Sequence, residues 1–163
     1  MMIETLEIIP AELEEFGSHL EGEIAPAVFE LKENEGKALT GLRYSFNAQQ
    51  FERELLLQGS ISAVFELECV RTVHPFKKTI QIEDLTLSIE VEDDVVNPTD
   101  QLREEIMILL PVYPVCDMGD EEMTCKIEEK YLALDKDQNS DLEEKPPKSS
   151  DDRWAALDQL DDL

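Results

Sequence analysis

The clearest pattern along this chain is a strict alternation in SISAVFELEC. Ile61, Ala63, Phe65, Leu67 and Cys69 fall on one face and Ser60, Ser62, Glu66 and Glu68 on the other, with Val64 the exception. A period of two is what a sheet with one wet side requires. Leu85, Leu87, Ile89 and Val91, alternating with Thr86, Ser88 and Glu90, repeat the pattern. Ile80 and Ile82 precede them in the opposite phase, so Glu83-Asp84 marks a bulge or a break. LRYSF, with Leu42, Tyr44 and Phe46, is a third strand, and VFELK and LEII are weaker candidates. The total comes to about five to seven strands.

Helical periodicity is rarer. In NPTDQLREEIMILLP, Asn97 is placed to cap, Pro98 suits the first helical position, Leu102, Ile106, Leu109 and Leu110 form a stripe, and Pro111 stops the run. PAELEEF, opened by Pro10, offers another turn or two. Strands followed by a late helix predict an α+β domain over residues 1–134. Its sheet is expected to be mainly antiparallel, open or rolled into a barrel, with one or two short helices.

Beyond Leu134 the pattern changes. DKDQNSDLEEKPPKSSDD is charged, poor in large apolar residues, and carries Pro146-Pro147, which reads as a flexible acidic linker. SDDRWAALDQLDDL follows, with Ser150 as a cap and Trp154, Leu157 and Leu160 at helical spacing. Residues 135–163 are therefore a linker plus a short amphipathic helix. A helix of about ten residues is marginal in water, so it needs a surface to dock on. Arg153, Trp154, Leu157 and Leu160 are the candidate partner-binding residues.

Charge narrows the classes of partner. Against 14 Lys and Arg stand 39 Asp and Glu, a formal net charge of -25. Such a field repels nucleic-acid phosphates and anionic lipid and favours basic partners, although solubility alone would also explain it. Three cysteines cannot all pair within one chain, and MMIETLEIIP lacks the basic start and apolar run of a secretory signal. The longest uncharged apolar stretch, IMILLPVYPVC, falls far short of the roughly 20 residues a membrane helix needs. These features predict a soluble cytoplasmic protein with no membrane contact.

The chemical inventory is thin. His19 and His74 are the only histidines, and there is no Gly-rich phosphate loop, GxSxG or HExxH. A Cys69–His74 nucleophilic pair is conceivable, but Cys69 lies on the apolar strand face, where an inert core thiol is expected. No catalytic residue and no cofactor is assigned, and the chain is read as a non-enzyme. Cys69, His74, Cys116 and Cys125 do form a Cys3His set, the right kind and number of ligands for structural zinc. The spacing argues for separate thiols, since there is no CxxC and the acidic DMGDEEMT loop parts the last two. Arg71, Lys77 and Lys78 in CVRTVHPFKK are the candidate RNA contacts, with a solvated sheet edge as the plainer reading.

CVRTV, TDQLREEIMILLPVYPVC, Cys125 and DDRWAALDQL occur in this order, and together they resemble the YceD family of bacterial and plastid large-ribosomal-RNA-subunit accumulation proteins. Family members tend to show Cys-x-Arg-Cys on a central strand, a segment L..E..L.LP..P.C, a further downstream cysteine, and a terminal Asp-Pro-Arg-Trp/Phe-Ala-x-Leu box. Cys69 and Arg71 match the first. Leu102, Glu105, Leu109, Leu110, Pro111, Pro114 and Cys116 match the second, and Arg153, Trp154, Ala155 and Leu157 the last. Thr72 and Asp152 depart from it, at the second cysteine and at the proline of the terminal box. The first departure removes one ligand from a four-cysteine zinc site. The resemblance covers roughly residues 60–163. It implies a role in 23S ribosomal RNA accumulation and large-subunit maturation without catalysis. Joined to the charge, it leads to a basic large-subunit ribosomal or assembly protein as partner, with RNA contact indirect or weak. A direct RNA-binding factor and a small zinc-binding structural module are the alternatives.

Overall fold

Alternating apolar positions become the inner face of one curled, half-barrel sheet. The structure is a computed structural model that describes residues 2–128 and 130. Its strands are β1 (Met2–Ile3), β2 (Ser18–Ile24), β3 (Lys37–Ala38), β4 (Leu42–Phe51), β5 (Glu54–Glu68) and β6 (Pro75–Glu90). They lie in the order β1-β2-β4-β5-β3, with β6 on the other edge of β5. All pairings are antiparallel except β1 with β2. The predicted α+β class with a mainly antiparallel sheet is what forms.

β5 is the spine of the sheet. Leu55, Leu57, Ile61, Ala63, Phe65 and Leu67 are all buried, and the run keeps one phase along the whole strand. β6 does not. Its register with β5 passes from Gly59↔Leu85 to Ile61↔Ile82, so β6 carries one extra residue at Glu83-Asp84. That is the bulge announced by the phase change between Ile82 and Leu85.

One helix, α1 (Thr99–Ile108), packs against β5, β6 and the 3-10 turn Pro26–Phe29, and buries Leu102 and Ile106. Phe29 meets Phe65 edge to face with ring centroids 4.9 Å apart. The helix begins one residue later than expected. Pro98 holds the capping position, while Asn97 Oδ1 still accepts the Thr99 N–H at 3.0 Å. Thr99 itself is buried because its hydroxyl accepts the Leu6 N–H at 2.9 Å, tying the amino-terminal segment to the helix.

Several weaker expectations need correction. VFELK is not a strand: Pro26 starts a 3-10 turn through Phe29, and Glu30 then turns left-handed at φ 47. Of LEII only Ile8 pairs, in an isolated bridge with Val96. PAELEEF yields a single 3-10 turn, Pro10–Glu12. Leu109 leaves the buried stripe and is half exposed, because α1 ends at Ile108 before the chain reaches Pro111. The linker and terminal helix expected over residues 135–163 lie outside the described residues. No helix among the described residues is long and apolar enough to cross a membrane.

Candidate metal centre

The end of β5 delivers Cys69 to the rim of the core, and the chain then doubles back sharply. Cys69 N–H donates to the His74 carbonyl at 2.9 Å and Val73 N–H to the Cys69 carbonyl at 2.8 Å. Closing so small a loop forces Val73 to φ 58, a left-handed conformation that β-branched residues avoid. Turns of this kind point successive N–H groups into one concavity, which suits an anion. Here the Cys69 sulfur lies in that concavity, with the backbone N–H groups of Arg71 and Thr72 directed at it.

The second part of the site arrives from beyond α1. Val70 N–H donates to the Pro114 carbonyl at 2.9 Å, and the next 3-10 turn, Cys116–Met118, brings Cys116 inward. Asp117 Oδ1 accepts the Cys125 N–H at 3.2 Å, which folds the third cysteine back onto the first two. Cys69 Sγ and Cys125 Sγ lie 3.4 Å apart, and all three sulfurs fall within 4.8 Å of one another. Cys69 and Cys116 are buried and Cys125 is half-buried.

These thiols do not share one environment. Burial raises the Cys69 thiol, but the Thr72 hydroxyl and the backbone N–H groups of Thr72, Arg71 and Cys116 outweigh it and hold the group down to about 6. Burial pushes Cys116 up to about 11, reinforced by its thiol neighbours Cys125 and Cys69, with only Thr72 acting the other way. Cys69 therefore gives up its proton more easily than Cys116. Three sulfurs within reach of one ion, the first already favoured as thiolate, form a donor set that fits a soft divalent metal. Thr72, whose hydroxyl lies 3.9 Å from Cys116 Sγ, stands beside the cluster.

Of the expected Cys3His set, the structure brings the three sulfurs together and leaves the histidine ring out. His74 is exposed and joins the site only through its backbone carbonyl, so neither a zinc ligand nor a Cys69–His74 pair is formed by its ring. The thiols are free, as the spacing suggested, but they are not apart in space. The three cysteines are separated by 47 and 9 positions, and only the β5–β6 turn and the 116–125 loop bring them together.

The basic candidates lie beside this cluster, largely answered by acids. Arg71 pairs with Asp117 at 3.6 Å. Lys77 sits directly opposite Glu66 in the β5–β6 ladder, and Lys78 interacts with Asp120. Arg153, Trp154, Leu157 and Leu160 lie outside the described residues. Compared with known proteins, the chain matches no family model, no curated protein and no solved structure.

Proposed function

We propose that this chain is a non-enzymatic factor in 23S ribosomal RNA accumulation and large-subunit maturation, acting by holding a basic ribosomal or assembly protein. The observation that carries the reading is the charge. An excess of acids as large as 39 against 14 attracts cationic polypeptide and repels bare RNA, so the RNA would be protected through the partner it receives. The order of the short motifs around Cys69, Leu102–Cys116 and Trp154 supplies the link to the ribosome. Direct RNA binding at Arg71, Lys77 and Lys78 is disfavoured, because Arg71 and Lys78 face Asp117 and Asp120 and Lys77 faces Glu66. Affinity capture from cells, with and without nuclease, tests the proposal. A basic large-subunit protein should be enriched whether or not RNA is destroyed. Recovery of large-subunit RNA without any such protein would reverse the reading.

The proximity of Cys69, Cys116 and Cys125 supports a second, structural element of the same proposal: these three residues hold zinc. The ion would cross-link the end of β5, the loop after α1 and the irregular run to Cys125, and so stiffen a region that has little regular structure of its own. No chemistry beyond that cross-link is assigned to it.

A further inference from the structure

Beside the cysteine cluster lies a surface that the core does not use. Ile108, Leu109, Val112 and Tyr113 follow one another out of α1 and are 76%, 49%, 84% and 75% exposed. The Val70–Pro114 hydrogen bond sets the turn after β5 against this segment, and Val70 and Val73 are also exposed. The two segments, joined at Val70 and Pro114, thus leave six large apolar side chains exposed, more than a folded chain normally scatters singly. Val73 cannot tuck inward, since the left-handed turn that aims it is closed by its own N–H on the Cys69 carbonyl.

Acids border the strip. Glu104 and Glu105 stand one helical turn before Ile108 and Leu109, hence on the same faces of α1. We infer that this strip docks a cationic amphipathic helix of a protein partner, its apolar side on Val70, Val73, Ile108, Leu109, Val112 and Tyr113 and its Lys/Arg side toward Glu104 and Glu105. Charge selects that occupant. A second copy would bring another net charge of -25 against the first, and residues 135–163 are themselves rich in Asp and Glu. The inference rests on the proposed basic partner and adds where it binds and in what form.

A synthetic Leu/Lys peptide with an apolar helical stripe, and a scrambled peptide of identical composition, separate the two ideas when titrated onto the full chain. The striped peptide should bind at least about tenfold more tightly than the scrambled one. That preference should vanish in a Val112→Ser/Tyr113→Ser variant, whose circular dichroism and melting should be unchanged because both side chains stand in solvent. Glu104→Gln/Glu105→Gln should weaken binding and flatten its salt dependence. Equal binding of the two peptides would overturn the docking strip yet leave the basic-partner reading standing, and failure of both to bind would overturn both. Dissociation of a dimer in the serine variant would name a second copy as occupant instead. Tighter peptide binding after cutting the chain at Leu134 would name its own terminal segment.

Discussion

Asp120 grips Thr79 with both carboxylate oxygens, Oδ1 accepting the backbone N–H at 2.9 Å and Oδ2 the hydroxyl at 2.6 Å. Its own N–H donates to the Lys77 carbonyl at 2.9 Å, so the loop that carries Cys116 is pinned to the edge of β6. Partial burial works to raise the carboxyl, but the Thr79 hydroxyl, the Thr79 N–H and the Lys78 charge together bring it below its usual value.

A pH dependence follows from that direction. A carboxylate depressed in the fold contributes stability in full above its unfolded value of 3.8, and loses it as pH falls through the lower folded value. Asp120→Asn should therefore destabilise the protein at neutral pH, and the gap to the parent chain should close on acidification. Urea melts from about pH 7 down to about pH 3 measure it. A gap that widens as acid is added would mean that the carboxylate is not the stabilising form.

How far the sequence revealed this molecule depends on where its signals are local. The single phase of Ile61 to Cys69, and the slip between Ile82 and Leu85, are consequences of pleating and bulging that need only a few neighbours to be read. VFELK has a strand-like composition, but Pro26 and the left-handed Glu30 decide it, and the pattern of apolar residues does not register either. The cysteine cluster was legible only as an inventory. Nothing in the spacing of Cys69, Cys116 and Cys125 shows that β6 runs back beside β5 and carries the turn to the loop after α1. Thr72 and Val73 are strand formers in isolation, so the tightness of the turn after Cys69 carries no local signal.

At Gly59, β4 leaves no room for a side chain on β5. A Cβ there would lie 2.2 Å from the Ser45 carbonyl oxygen and 2.4 Å from Phe46 Cα, both backbone atoms that can yield only by parting the strands. On its other side Gly59 pairs with Leu85, immediately before the bulge in β6. Gly59→Ala should cost about 3 kcal/mol, at the upper end for an added methylene. Chemical denaturation with an unchanged m-value checks it, and a loss under about 1 kcal/mol would show that the sheet gives more readily than this packing allows.

Val73→Gly should act in the opposite direction. The left-handed conformation at φ 58 costs an L-residue about 1–2 kcal/mol, whereas glycine adopts it freely and loses roughly 0.5–1 kcal/mol of chain entropy in folding. Because Val73 is 67% exposed, little burial is forfeited. A net gain of about 0.5–1 kcal/mol in unfolding free energy is expected. The same change trims the apolar strip, so affinity for the striped peptide should fall while stability rises. A variant that lost both together would indicate that Val73 packs rather than docks.

Zinc analysis of the purified chain bears on the proposed ion, and the pattern across variants is more telling than the parent value. Cys69→Ser, Cys116→Ser and Cys125→Ser should each lower zinc affinity at least about tenfold, since each removes one ligand in three. His74→Ala should change nothing, because its ring faces solvent. Thr72→Cys should tighten binding by supplying a thiolate beside the cluster. Occupancy should also climb as pH rises, because metal must displace protons and the Cys116 thiol holds its own up to about 11. Cobalt substitution reads ligand number through its visible spectrum, and Thr72→Cys should move that spectrum toward a four-sulfur site. Full zinc retention by all three serine variants would place the metal elsewhere, and a parent chain that takes up none at neutral pH, while Thr72→Cys does, would make the threonine the residue that has silenced the site.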